Sequence, residues 1–222
     1  MQVKKVLRIV IPFILIPLVV LLGAFVFDEK QYLFISFAVA LLAVALFIAG
    51  FERKITGTRR MVIVAVMIAL SIVGRFIPFF KPITAITVMT AIYLGGESGF
   101  LVGSFSALLS NFYFGQGPWT PFQMLAWGLI GLFAGMLAKP LKTHRWLLVL
   151  YGVLAGVAYS LVMDVWAVLW HSNDFSWSLY GAAVVAALPH MILYAVSNFI
   201  FLWFMKKPFG DKLERVKKKY GV

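Results

Sequence analysis

Cysteine is absent from this sequence, and acidic residues and histidines are scarce. The 222 residues include 8 Asp and Glu, 3 His and no Cys, against 20 Lys and Arg. The lack of cysteine excludes disulfides and thiolate ligands or nucleophiles. His144, His171 and His190 lack metal-ligand spacing such as His-Glu-x-x-His, and the chain has no glycine-rich phosphate loop carrying Lys. We therefore predict a protein that is not an enzyme, uses no metal or cofactor, and cannot drive transport by its own ATP hydrolysis.

The sequence also contains few polar residues. The chain is 63% hydrophobic with a mean hydropathy of +0.97, which excludes a soluble domain and predicts an all-α polytopic transmembrane helix bundle. The apolar stretches lie at 9–27, 32–51, 61–79, 82–95, 98–114, 121–138, 146–170 and 181–205. A crossing needs about 20 residues, so the fourth and fifth stretches are short. The alternative is one broken span over 82–114.

The basic residues distinguish these two topologies. With eight crossings and the N-terminus inside, 17 of the 20 basic residues lie in cytoplasmic segments. Lys30 and Lys81 then lie in outer loops, and Arg75 lies near the outer end of its helix. A single broken span would instead move Lys139, Lys142 and the basic C-terminal tail outside. The positive-inside rule thus favours eight crossings, with both termini on the cytoplasmic side of a bacterial plasma membrane.

Composition divides the chain into three parts. Residues 1–55 form a plain apolar hairpin, residues 56–207 form six helices that carry polar groups, and residues 208–222 form a basic cytoplasmic tail. Glycines spaced by four predict close helix contacts inside the six-helix core. These glycines are Gly95, Gly99 and Gly103, then Gly131 and Gly135, and then Gly152 and Gly156.

Five polar residues within the spans are the first candidates for ligand binding. They are Arg75, Asn111, Gln123, Asp164 and His190. Counted at about 1.5 Å per residue from the helix ends, all five lie in the outer half of the bilayer. Buried ionisable groups usually face a bundle interior or a wet cavity. Arg75 and Asp164 therefore either form an ion pair between two helices or orient a ligand in a cavity open to the outside.

The turn between the fifth and sixth apolar stretches supplies the remaining candidates. Tyr113, Gln116 and Trp119 lie in this turn, and Trp127 follows in the next helix. Aromatic and amide side chains at one end of a bundle are typical of a ligand pocket. We therefore add these four residues to the predicted substrate-binding set.

Ala65 and Ala69 form an Ala-x-x-x-Ala pattern near the cytoplasmic start of the third span. Such a small-residue face permits close helix packing. It packs either against the protein's own core or against a helix of another protein.

Taken together, these features resemble the S components of energy-coupling factor (ECF) transporters, the membrane subunits that capture vitamins. The resemblance covers about residues 56–207. It is carried by the six helices, the alanine pattern on the first of them, the two short helices that follow and the outer polar cluster. Residues 111–128 (NFYFGQGPWTPFQMLAWG) are similar to the cobalamin-specific branch of the family.

The resemblance implies an S-component-like core preceded by an additional two-helix hairpin. It also implies binding of cobalamin or a related corrinoid from outside, and docking through Ala65 and Ala69 onto a transmembrane coupling subunit driven by two cytoplasmic ATPases. Queuine or queuosine, folate and pantothenate are alternative substrates, and an unpaired Arg75 favours a carboxylate vitamin. A stand-alone secondary transporter and a structural membrane protein are the alternatives outside this family.

Overall fold

The computed structural model describes residues 2–26, 32–50, 54–172 and 175–221, and these residues form helices joined by short turns, as predicted. The helices are α1 (Gln2–Val10), a π-helical turn (Ile11–Leu15), α2 (Ile16–Val26), α3 (Tyr32–Ala49), α4 (Lys54–Gly74), α5 (Ile83–Leu94), α6 (Gly96–Phe114), α7 (Thr120–Met136), α8 (Ala138–Thr143), α9 (Arg145–Ser172) and α10 (Trp177–Tyr220). Lys30, which we predicted in an outer loop, lies outside the described residues.

Among the described residues, four helical segments are long and apolar enough to cross a membrane: Val3–Phe25, Tyr32–Ala49, Arg145–Ser172 and Trp177–Tyr220. Two shorter apolar helices, Ile83–Leu94 and Thr120–Met136, belong to the same bundle. The predicted class of a polytopic transmembrane helix bundle is therefore confirmed. The first crossing starts earlier than the apolar stretch 9–27, because α1, the π-helical turn and α2 are contiguous.

Helices α5 and α6 are separate, as predicted, but α6 covers 19 residues and is longer than expected, whereas α5 covers 12. Gly95 stands between them with a φ of 98°, a conformation that side-chain-bearing residues rarely adopt. The backbone therefore changes direction after Leu94, and α6 starts anew at Gly96. All twelve residues of α5 are buried, so this short helix runs through the middle of the bundle.

The last helix is longer than its apolar stretch. α10 covers 44 residues and includes most of the segment that we predicted as a basic tail. Pro208 lies within the helix rather than ending it. Leu213, beyond this proline, is buried at 6% exposure. The hydroxyl of Tyr93 also lies against Gly210. The segment beyond residue 207 thus packs on the bundle instead of extending freely into solvent.

Basic side chains join several helices at one end of the bundle, which we call the basic end. Arg59 on α4 donates to the carbonyl of Tyr220 on α10 at 3.0 Å. Lys206 on α10 donates to the carbonyl of Thr143 on α8 at 3.4 Å. The α4–α5 loop and the α6–α7 turn lie at the other end, which we call the cavity end.

The N-terminal hairpin is attached to the core through a buried carboxylate at the basic end. Glu97, in the first turn of α6, is 6% exposed and forms a salt bridge with Arg8 on α1. Arg60 on α4 approaches the other Glu97 oxygen at 3.9 Å and donates to the Ser98 hydroxyl at 2.7 Å. One acidic residue thus links the hairpin, α4 and α6. The hairpin packs on the core instead of standing apart in the lipid.

Helices α6 and α7 approach one another closely enough to exclude side chains between them. A Cβ atom on Gly103 would lie 2.4 Å from the carbonyl oxygen of Trp127, and one on Gly131 would lie 2.4 Å from the Gly99 backbone. Neither distance is sterically possible, so these positions require glycine. The predicted glycine contacts are confirmed here. They fix the position of Trp127 relative to α6.

Candidate functional site

A cavity lies at the cavity end between α5, α7, α9, α10 and the loop that joins α4 to α5. The residues around it are contributed by these four helices and by the α4–α5 loop. They are Arg75, Lys81, Ile83, Thr84, Gln123, Trp127, Gly156, Tyr159 and Tyr194. Gly156 permits this arrangement, because a Cβ atom there would lie 3.1 Å from the backbone nitrogen of Ala195 on α10.

Arg75 is held in place by neutral partners. Its Nη1 donates to the side-chain oxygen of Asn111 at 2.6 Å and to the hydroxyl of Ser110. The guanidinium carbon also lies 4.8 Å from the centre of the Phe114 ring and 6.0 Å from that of Trp127. Within the described part of the chain, Nη2 and Nε of Arg75 make no hydrogen bond. A guanidinium has five N–H donors, so three of them remain available to a ligand.

A chain of amide and hydroxyl groups holds Asn111 behind the cavity. The Asn111 amide donates to the Thr120 hydroxyl at 2.8 Å and to the Gln123 side-chain oxygen at 2.9 Å. Thr120 in turn donates to the side-chain oxygen of Gln116 at 3.0 Å. This network uses both N–H groups of Asn111 while its oxygen accepts from Arg75. The network therefore joins α6 to the start of α7 and fixes the orientation of the guanidinium.

Aromatic rings form one wall of the cavity. The rings of Trp127 and Tyr159 stack with centroids 4.4 Å apart and planes inclined by 21°. Tyr194 packs edge-on against Tyr159 at 5.4 Å. The indole nitrogen of Trp127 donates to the Thr84 hydroxyl at 3.1 Å, which holds the ring in this orientation. Such a wall suits a ligand with a flat or extended ring system.

The cavity carries positive charge without a lining acid. Lys81, in the loop between α4 and α5, lies with its ammonium nitrogen 5.6 Å from the centre of the Phe114 ring. Burial lowers the pKa of Lys81 from its ordinary value of 10.5, and the nearby Arg75 lowers it further. Both cations are therefore poised to interact with carbonyl, carboxylate or other electron-rich oxygen atoms of a ligand.

The structure brings together three of the nine residues that we predicted as substrate-binding. Arg75, Gln123 and Trp127 line the cavity. Asn111 does not line the cavity but is fully buried behind these residues, and its side-chain oxygen positions Arg75 by accepting a hydrogen bond from it. Gln116 and its neighbours form the turn that closes this end of the bundle. The Gln116 amide donates to the carbonyl of Leu108 at 2.8 Å.

The remaining predicted residues lie away from the cavity lining. Tyr113 is 72% exposed and packs on Phe114. Trp119 packs edge-on against Trp166 with ring centroids 5.7 Å apart. His190 lies on an exposed face of α10. These three positions belong to the surface or to a neighbouring contact rather than to the cavity.

Arg75 and Asp164 do not form an ion pair, which was one of the two alternatives that the sequence left open. Both lie in the described part of the chain, whose salt bridges join Glu97 to Arg8 and Arg60. Asp164 is buried at 7% exposure, and its Oδ2 atom has no hydrogen-bond partner among the described residues. Arg75 lines the cavity, whereas Asp164 is buried outside its lining.

Sequence reasoning missed four lining residues that carry polar atoms. Lys81 was recognised only as an outer-loop cation, and Thr84, Tyr159 and Tyr194 were counted as parts of apolar spans. A tyrosine hydroxyl inside a membrane span needs a polar partner. That requirement is the signal by which Tyr159 and Tyr194 could have been found.

Comparison with known proteins identifies one family. Residues 54–207, more than half of the chain, match the family model described as the S component of an ECF-type riboflavin transporter. The matched range contains the whole cavity, whereas the N-terminal hairpin lies outside it. No curated protein and no solved structure matches the chain.

Proposed function

This chain belongs to the family of S components of ECF-type riboflavin transporters, and we propose that the cavity around Arg75 is the site at which it holds its vitamin. It is a vitamin-binding membrane subunit rather than a member of an enzyme class. The single observation that carries the assignment of the site is the unpaired Arg75. A membrane-embedded cation with free N–H donors and no lining acid is costly unless it faces a polar cavity and a ligand.

The proposed binding mode follows from the polar and the aromatic residues that line the cavity. Arg75 and Lys81 donate to oxygen atoms of the vitamin, and Gln123 supplies an amide that both donates and accepts. The outer side of the stacked Trp127–Tyr159 pair contacts the ring system of the vitamin. Such a site favours a ring-containing vitamin with carbonyl or carboxylate groups.

Two substrates are each supported by one observation. Riboflavin is supported by the description of the matching family. Cobalamin is supported by residues 111–128, whose sequence resembles the cobalamin-specific branch. A corrinoid is too large for the closed cavity, so its binding requires the turn at Gln116 and Trp119 to move outward.

The proposed orientation places the basic end in the cytoplasm and the cavity end outside. The positive-inside rule supports this orientation, because the basic residues that join the helices lie together at the basic end. Both termini are then cytoplasmic, and the vitamin enters from outside. The chain holds no ATP-hydrolysing motif, so uptake depends on the ECF module of coupling subunit and ATPases with which S components work.

The proposed docking surface for the coupling subunit is the exposed small-residue face of α4. Ala65 and Ala69 both lie on the outside of the bundle rather than in the core. Met61, Val62 and Val66 surround them and are also exposed. A partner helix can therefore approach the α4 backbone closely at the two alanines.

Titration of the purified chain tests the assignment of the site. Riboflavin, cobalamin and pantothenate would each be titrated by calorimetry into the wild type, Arg75→Gln and the control Arg59→Gln, whose cation lies at the basic end. We expect one vitamin to bind tightly to the wild type and to the control, and weakly to Arg75→Gln. Equal affinity in Arg75→Gln would reject this cavity as the site. Riboflavin binding alone or cobalamin binding alone identifies the substrate.

A further inference from the structure

A second cavity lies between the N-terminal hairpin and the core at the cavity end. The hairpin contributes Val20, Tyr32 and Ile35 to its lining, and the core contributes Phe122, Trp166 and Trp170. Both parts of the chain are needed to enclose it. No comparison or sequence pattern assigns a ligand to this cavity.

The lining determines the chemical class of the occupant. No residue that lines the cavity carries a charge, and most of the lining is aliphatic or aromatic. This contrasts with the cavity around Arg75, which has two cations. A charged or strongly polar ligand would lose its hydration here without gaining partners. The lining therefore favours a hydrocarbon segment.

The cavity is accompanied by a polar group that lacks an acceptor. The indole nitrogen of Trp166 is buried and has no hydrogen-bond partner among the described residues. Buried N–H groups are nearly always satisfied, so a partner from outside the protein is expected. A hydrocarbon ligand that also carries a carbonyl oxygen meets both requirements.

The position of the cavity indicates where such a ligand comes from. Tyr32 is the first residue of α3, and Trp170 lies close to the end of α9. Tyrosine and tryptophan at helix ends are typical of the membrane interface, where the ester groups of phospholipids lie. Leu21, Leu22 and Phe25 on the adjoining face of α2 are exposed, so this part of the hairpin contacts the bilayer.

We propose that this second cavity binds one acyl chain of a membrane phospholipid, with an ester carbonyl of the lipid accepting a hydrogen bond from Trp166. The start of α7 separates this site from the vitamin cavity. Phe122 lines the lipid site, whereas the next residue, Gln123, lines the vitamin cavity. The hairpin thereby completes a lipid site on the flank of the vitamin-binding core.

Lipid retention by the full-length chain is the test. The protein would be washed in detergent, incubated with palmitoyl-oleoyl-phosphatidylglycerol and examined by native mass spectrometry. We expect one retained lipid per wild-type chain. Ala24→Phe places a ring in the cavity and should remove the lipid, whereas Leu22→Phe on the exposed face of the same helix should retain it. Equal retention in both variants would overturn the proposal.

A second comparison isolates the hydrogen bond and does not depend on the folding of Ala24→Phe. The ether-linked analogue of the same lipid lacks the ester carbonyls. The wild type should retain the ester lipid about five-fold more than the ether lipid, as expected for one hydrogen bond. Trp166→Phe keeps the ring and should abolish this preference. An equal ester preference in Trp166→Phe would reject the role of Trp166.

The vitamins themselves provide the last arm of the test. Saturating riboflavin should leave lipid retention unchanged, because the two cavities share no lining residue. Displacement of the lipid by riboflavin would assign the second cavity to the vitamin site and overturn the lipid assignment. Failure of every vitamin to bind would reject the proposed function and leave the lipid result standing.

Discussion

The side-chain oxygen of Asn111 accepts a hydrogen bond from Arg75 at 2.6 Å, while the Asn111 amide donates to Gln123 at 2.9 Å. A neutral amide therefore holds the cation of the cavity in place. An acid at position 111 would still accept from Arg75, but it would neutralise the cation and could not donate to Thr120 and Gln123. The choice of Asn over Asp keeps the positive charge available to a ligand.

Asn111→Asp should therefore weaken vitamin binding, because it neutralises Arg75 and removes the N–H groups that donate to Thr120 and Gln123. The new carboxylate competes with ligand oxygen atoms for Arg75, and a loss of about 1–3 kcal/mol, or about 5- to 150-fold in Kd, is expected. Calorimetric titration at neutral pH measures the effect. Thr143→Ala, at the exposed basic end, serves as the control. Unchanged affinity in Asn111→Asp would show that Arg75 does not contact the vitamin.

Lys81 should give vitamin binding and protein stability opposite pH dependences. Its pKa is lowered from 10.5 by burial and then by Arg75, so it loses its proton at a lower pH than an exposed lysine. Vitamin affinity should fall as the pH rises through that lowered pKa, because a neutral amine is a weaker partner for ligand oxygen atoms.

The stability of the vitamin-free protein should rise over the same interval. The unfolded chain binds more protons at Lys81 than the folded chain between the lowered pKa and 10.5, so the free energy of unfolding increases with pH there. Thermal unfolding and titration over this range measure both trends. Lys81→Arg stays protonated and should remove both pH dependences. If vitamin affinity and stability still changed with pH in Lys81→Arg, both pH dependences would belong to another titratable group.

Loss of the Glu97 carboxylate should loosen the hairpin from the core. Glu97→Gln removes the charge that Arg8 and Arg60 share, and a destabilisation of about 1.5–3 kcal/mol is expected for a buried, charge-assisted contact. Arg8→Gln should cost less, because the Arg8 side chain is 48% exposed. Thermal unfolding in detergent measures both variants, with Glu214→Gln on the exposed surface of α10 as control. A larger loss for Arg8→Gln than for Glu97→Gln would contradict this account.

Bulky residues on the α4 face should separate vitamin capture from uptake. Ala65→Trp combined with Ala69→Trp blocks close approach of a partner helix but leaves the cavity untouched. We expect vitamin affinity to be unchanged and ATP-dependent uptake in liposomes with the ECF module to be lost.

Leu154→Trp, on the exposed face of α9, is the matched control and should retain uptake. Uptake that persists in the double alanine variant would move the docking surface elsewhere. Ion-coupled uptake by the chain alone would instead support a secondary transporter.

Hydropathy predicted the helices well because each span needs a minimum apolar length. The break at Gly95 was also readable, since two adjacent glycines interrupt a run that is too long for one span. The extension of α10 through residues 206–220 was missed. Its Lys, Glu, Leu and Arg residues favour helix, but their charge resembles that of a solvated tail.

The candidate site was only partly predictable, because counting residues along a helix gives depth but not direction. Arg75, Asp164 and His190 share a similar predicted depth, yet Arg75 lines the cavity, Asp164 is buried outside its lining and His190 is exposed. The face that each helix turns inward is set by packing between distant segments. Tyr159 and Tyr194 escaped notice because a tyrosine in an apolar run raises no charge signal.

The backbone contact between α6 and α7 has a mechanical consequence. A Cβ atom on Gly103 would lie 2.4 Å from the Trp127 carbonyl oxygen, so the two helix backbones are in direct contact. Neither helix can slide along the other without breaking this close packing. Trp127 and Gln123 both lie on α7, so this contact fixes these two lining residues relative to α6. The two helices and the part of the cavity wall that they support therefore behave as one rigid unit.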